Sequence, residues 1–152
     1  MKNLIASLIL IMSLTSCGET KKDPDLIIDI TKIAGQEKEE VEKILGSPNN
    51  TESVSPSNTP CKEIPCEKCF YKNDKFEIVY INGKADWITI NNVSDYELDK
   101  NTLQSIGLPL VEPESTQPNS LYWQYIENVK EINVVGNGNG MLDYIYIKST
   151  TK

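Results

Sequence analysis

The 152-residue chain carries 15 basic side chains, all lysine, against 22 carboxylates, for a formal net charge of −7 at pH 7. An acidic surplus with no basic stripe argues against nucleic acid as a partner. There is no arginine and no histidine, which removes the bidentate guanidinium clamp for phosphate or carboxylate and every mechanism built on an imidazole.

The chain opens with one lysine (Lys2), an apolar run from Leu4 to Leu14, two small residues and Cys17. This is the layout of a secretory signal over residues 1–16. The run is too short to span a hydrocarbon core, which takes about 20 residues. The stretch Leu14-Thr15-Ser16-Cys17 resembles the lipobox of bacterial lipoproteins. That resemblance implies lipidation of the Cys17 thiol and cleavage before it. A membrane held through a lipid anchor is then the first partner. The expected location is the bacterial cell envelope, at the outer membrane, facing the periplasm or the exterior. Residues 17–30 read as the lipidated cysteine and its tether, the charged part of which has no periodicity and suits a flexible linker.

From Glu37 to Leu45, Val41, Ile44 and Leu45 fall at helical spacing with Glu39, Glu40, Glu42 and Lys43 opposite. Gly46 and Pro48 close that helix. A polar loop from Asn49 to about Lys68 follows and holds three cysteines, Cys61, Cys66 and Cys69. Outside the cytoplasm three thiols predict one disulfide and one leftover cysteine, with the pairing open. A metal site would need a carboxylate such as Glu63, Glu67 or Asp74 as fourth ligand, an uncommon set for zinc. Thiol redox exchange has the spacing in Cys66-Glu67-Lys68-Cys69 but lacks a context that lowers the thiol pKa. No metal and no cofactor are expected.

Strands are predicted at Phe70–Lys72, Lys75–Ile81 and Lys84–Asn91, with Asn82-Gly83 as a tight hairpin turn. A second helix is predicted over Leu98–Ile106, stopped by Gly107 and Pro109. A polar loop from Val111 to Ser120 leads to strands at Leu121–Ile126, Glu131–Val135 and Met141–Lys148. The glycine cluster from Gly136 to Gly140 has no following helix and no P-loop lysine, so it reads as a hairpin tip.

The two halves resemble each other. Asn82-Gly83 with Asp86-Trp87-Ile88 and Ile90 matches Asn139-Gly140 with Asp143-Tyr144-Ile145 and Ile147. Glu77-Ile78 and Leu45-Gly46-Ser47-Pro48 find counterparts in Glu131-Ile132 and Ile106-Gly107-Leu108-Pro109, in the same order. The expected fold is therefore α+β: two tandem helix-plus-three-strand antiparallel repeats, at 31–92 and 93–152, sharing one domain with both helices on one face of the sheet. Gly35, Val41, Leu45-Gly46 and Pro48, followed by a three-stranded meander, resemble the small lipoprotein domain of the SmpA/OmlA (BamE-like) family. The duplicated arrangement is similar to the β-lactamase inhibitory protein fold. These resemblances imply an architecture and a bias toward binding proteins, and carry over no functional residue.

Period-two alternation puts Ile88, Ile90, Ile145 and Ile147 on one side of their strands and Trp87, Tyr144 and Tyr146 on the other. With the isoleucines inward, the three aromatics form an outer patch suited to a protein partner, with Tyr80 and Trp123 as further candidates. Asp86 and Asp143 recur beside the aromatics, and local hydrogen bonding explains them better than an acid–base pair. No catalytic constellation is present. The sequence thus predicts a non-catalytic, lipid-anchored envelope protein that binds another envelope or secreted protein through its sheet face and loops. Inhibition of a secreted or periplasmic hydrolase is the alternative, and a thiol-redox or metal function a more distant one.

Overall fold

The run Phe76–Ile81 buries Phe76, Ile78 and Tyr80 and leaves Glu77, Val79 and Ile81 half-covered, as a pleated strand with one wet face must. The same alternation recurs along the chain in a computed structural model, which describes residues 25–54, 61, 64 and 66–150. The signal segment 1–16 and Cys17 lie outside the described residues.

Eight strands follow in chain order. They are β1 (Asn50–Ser53), β2 (Cys66–Tyr71), β3 (Phe76–Ile81), β4 (Lys84–Ile90), β5 (Ser115–Gln117), β6 (Ser120–Ile126), β7 (Val129–Gly136) and β8 (Leu142–Ser149). All pair antiparallel in one sheet of order β1-β2-β3-β4-β8-β7-β6-β5. The similar segments of the two halves meet at the centre, where Ile88 pairs with Ile147 and Ile90 with Ile145.

One face of this sheet is the core face. Tyr71, Ile78, Ile88, Ile147, Ile132 and Trp123 line it, fully buried, and non-strand segments supply the rest of the cluster through Ile30, Ile33, Val93, Leu103 and Ile106. Helix α1 (Lys38–Leu45) adds Val41 and Leu45. It begins with Glu39 and Glu40 in the first turn, where carboxylates favour the helix dipole. It ends at Gly46, whose φ of +84° a side chain would resist. Ile44, expected inward, is exposed on its solvent side.

The expectation of two helix-plus-three-strand repeats with two helices on a sheet face is not what the chain forms. There is a single eight-stranded antiparallel sheet, and α1 is the one helix longer than a single turn among the described residues. The segment 98–106 is held elsewhere before it can coil. Leu98 N donates to Gly140 O at 2.8 Å, and Asp99 Oδ1 accepts from Asn101 N at 2.8 Å. Only Thr102–Ser105 remains helical, as α2. The two polar loops also contribute the edge strands β1 and β5, whose residues are all exposed. Edge strands of this kind are held by backbone pairing more than by burial, so hydropathy does not announce them.

Candidate functional site

The sheet face opposite the core carries the candidate site. Register places Phe70 and Lys68 of β2, Val79 of β3, Trp87 of β4, Tyr144 and Tyr146 of β8 and Asn133 and Val135 of β7 on this outer side. The pairing of β4 with β8 brings Trp87 and Tyr146 edge to face, ring centroids 5.2 Å apart at 77°. Lys148 caps this pair with its ammonium 5.0 Å from the Trp87 ring centroid. Tyr144 is the most open of the three, 37% exposed. Burial is the main cause that pushes the Tyr146 phenol up, and the charges of Glu131 and Asp86 add to it. The Trp87 indole N–H is buried and has no hydrogen-bond partner among the described residues.

Tyr80 and Trp123 do not belong to this patch. Each is 1% exposed, on the core face. Tyr80 alternates in phase with Phe76 and Ile78, and Trp123 in phase with Leu121, so the same period that turns Trp87 outward turns them inward. Trp123 satisfies its N–H on Val111 O at 3.0 Å. The two aspartates are also separated. Asp86 is buried at an irregularity in the β3–β4 pairing, and Asp143 is exposed. Antiparallel register sends them to opposite ends of the β4–β8 pair, about 20 Å apart at strand rise, too far for a carboxylate pair acting on one bond.

Beside the aromatics lies a depression of about 630 Å³. Its floor is Asn133 and Val135 of β7 with Tyr144 and Tyr146 of β8, and its wall is the tight β5–β6 turn, Gln117 to Ser120. Asn133 sits directly opposite Tyr146, and Val135 opposite Tyr144. A second hollow of about 430 Å³ shares Tyr144 and continues toward Asn91, Asn92 and Asp143. Asn133 belongs to no motif, yet its alternation with the buried Ile132 and Val134 turns it outward. Nothing local announced Gln117 and Asn119, which reach the site only because the turn between β5 and β6 folds there.

The cysteines lie at the other flank. Cys61 and Cys66 form a disulfide, with Cα atoms 5.8 Å apart. Cys69 is a free, fully buried thiol within 3.5 Å of Thr51 Oγ1. Cys66 and Cys69 stand three residues apart on β2, hence on opposite faces of the sheet. Their side chains thus lack the shared helical turn of a redox dithiol. Of the carboxylates named as fourth ligands, Glu67 is ion-paired to Lys38 at 2.9 Å and Glu63 lies outside the described residues. Burial weakens the Lys38 charge, but the hydrogen bond to Glu67 and the neighbouring Cys69 outweigh it and leave the ammonium pKa raised. No group of three histidine, cysteine, aspartate or glutamate side chains among the described residues is placed to hold a metal ion. No helix among them is long and apolar enough to cross a membrane.

No protein-family model, curated protein or solved structure matches the chain.

Proposed function

We propose that the protein is a lipid-anchored envelope protein, held through Cys17, that binds another envelope protein through the outer face of its sheet and acts without catalysis. The observation that carries this reading is the patch made by Trp87, Tyr144 and Tyr146. Trp87 lies 57 positions from Tyr144 and 59 from Tyr146 in sequence, yet adjacent strands set them together on the side away from the core. Aromatic side chains with polar tips supply large contact area at little entropic cost, which is why interface centres favour them. Phe70, Val79 and Val135 extend the apolar surface to either side.

Replacement of Trp87, Tyr144 and Tyr146 together by alanine in the full-length lipoprotein tests the reading. Cross-linking in the native cells, followed by mass spectrometry, identifies the partner of the unaltered chain. The triple variant is expected to lose that partner and keep the far-ultraviolet circular dichroism of the parent. Retained binding overturns the proposal. The anchor is tested separately: incorporation of a labelled fatty acid is expected in the parent and absent in Cys17→Ser.

A further inference from the structure

We propose that the depression between the β5–β6 turn and the β7–β8 surface is a binding site for a neutral oligosaccharide. This goes beyond the docking of a protein and does not depend on it.

The lining decides the ligand class. No charged side chain borders the depression, so neither a phosphate nor a carboxylate ligand finds a counter-charge there. The lining is mostly apolar, from Pro118, Val135 and the two tyrosines, and it is bordered by Gln117, Asn119 and Asn133, whose carboxamides make no side-chain hydrogen bond among the described residues. A purely apolar ligand would cover the half-buried Asn133 carboxamide without giving it a partner. Each carboxamide presents one acceptor oxygen and one two-proton donor side by side. A sugar hydroxyl both donates and accepts, and neighbouring hydroxyls on a pyranose match that spacing. Tyr144, open on the surface and bordering both hollows, provides an aromatic plane for the C–H face of the ring.

Shape points the same way. The depression lies on the sheet surface and meets at Tyr144 a second hollow, where Asn92, Ser94 and the carboxylates of Glu77 and Asp143 offer further hydrogen-bonding groups. A linear chain of sugar units can run through such a groove, with Tyr144 between successive rings.

The test is saturation-transfer difference NMR on the full-length chain in a detergent without a sugar headgroup. The probes are the neutral hexaoses of glucose (both linkages), mannose, xylose and N-acetylglucosamine. At least one probe is expected to receive saturation and to be competed by its own shorter oligomers. Tyr144→Ala and Asn133→Ala are each expected to weaken binding about tenfold or more, whereas Ile44→Ala, on the solvent side of α1 and outside the depression, leaves it within about twofold. Both Tyr144 and Asn133 are surface positions, and an unchanged amide spectrum away from the site shows that the variants fold. Absence of transfer from every probe overturns the proposal, as does binding that survives Tyr144→Ala with Asn133→Ala. A protein partner held by the parent and lost by the triple variant, without any sugar binding, overturns this site alone and leaves the protein-docking reading standing.

Discussion

The hydroxyls of Tyr71 and Tyr80 hydrogen-bond each other at 2.8 Å inside the core, on neighbouring strands β2 and β3. Each phenol depends on the other for its buried hydrogen bond. Tyr71→Phe or Tyr80→Phe is therefore expected to strand the remaining hydroxyl and cost about 1–3 kcal/mol. The double phenylalanine variant removes both polar groups and is expected to cost less than the two single changes added together. Urea denaturation of the four chains closes that double-mutant cycle. Strictly additive losses would show that the pair does not act as a unit.

Alkaline pH probes the same groups. Burial is the first cause that raises the phenol pKa of Tyr71, Tyr80 and Tyr146 above the ordinary value of 10.0. A folded-state pKa above the unfolded one means stability that is fully present below pH 10 and lost as pH rises beyond it. Tyrosinate absorbance from these three residues is expected to appear together with unfolding. Reversible ionisation of all seven tyrosines in the folded chain at pH 11 would contradict this.

Asn128, in the β6–β7 turn, donates its Nδ2 protons to Thr31 O at 3.2 Å and Ala34 O at 2.6 Å. It ties the N-terminal segment to the far half of the sheet. Its Oδ1 is buried without a partner, so Asn128→Asp loses both donors and places a charge where nothing solvates it. That change is expected to cost more than Asn128→Ala, for which about 2 kcal/mol is expected from two lost hydrogen bonds. Thermal denaturation at pH 7 ranks the two variants, and an aspartate variant as stable as the parent would refute the assignment.

Gly107 adopts φ +78°, and a Cβ there would lie 2.9 Å from both Cα and Oδ1 of Asp29. Asp29 is itself committed, accepting from Thr31 Oγ1 at 2.6 Å and pairing with Lys32 at 2.9 Å. The Thr31 hydrogen bond, followed by Lys32, holds its carboxyl below the usual range. Gly107→Ala combines left-handed backbone strain with a clash against backbone, for an expected loss of about 1–3 kcal/mol. Gly138→Ala, at φ +86° with open space around it, supplies the strain without the clash and is expected to cost less.

The thiols predict a chemical signature. In the folded protein Cys69 is inaccessible and Cys61–Cys66 is oxidised, so a thiol reagent is expected to find Cys69 only after denaturation. Reducing the disulfide removes a cross-link over a short loop, worth about 2 kcal/mol on the chain-entropy account. Cys61→Ser with Cys66→Ser is expected to lower stability by that amount, read by urea titration. Rapid labelling of Cys69 in the native chain would show that β2 is not packed as described.

What the sequence determined by itself is what local pattern encodes. Alternation of isoleucine with aromatic residues marked strands at Lys84–Asn91 and Met141–Lys148, which form as Lys84–Ile90 and Leu142–Ser149, and decided that Ile88, Ile90, Ile145 and Ile147 turn inward while Trp87, Tyr144 and Tyr146 turn outward. Gly46 and Pro48 likewise ended the first helix where the chain ends it. Tertiary structure decided what depends on partners distant in sequence. The segment 98–106 lost its helix to contacts with Gly140 and to the Asp99 turn, because a short helix with a costly nucleus yields to competing hydrogen bonds. Exposed residues in two polar loops became β1 and β5 through backbone pairing that side-chain hydropathy does not record. The pairing of Cys61 with Cys66, the burial of Cys69, and the meeting of Gln117 and Asn119 with Asn133 and Tyr144 all follow from the sheet order. That order is a property of the closed chain, since only long-range packing chooses which strand lies beside which.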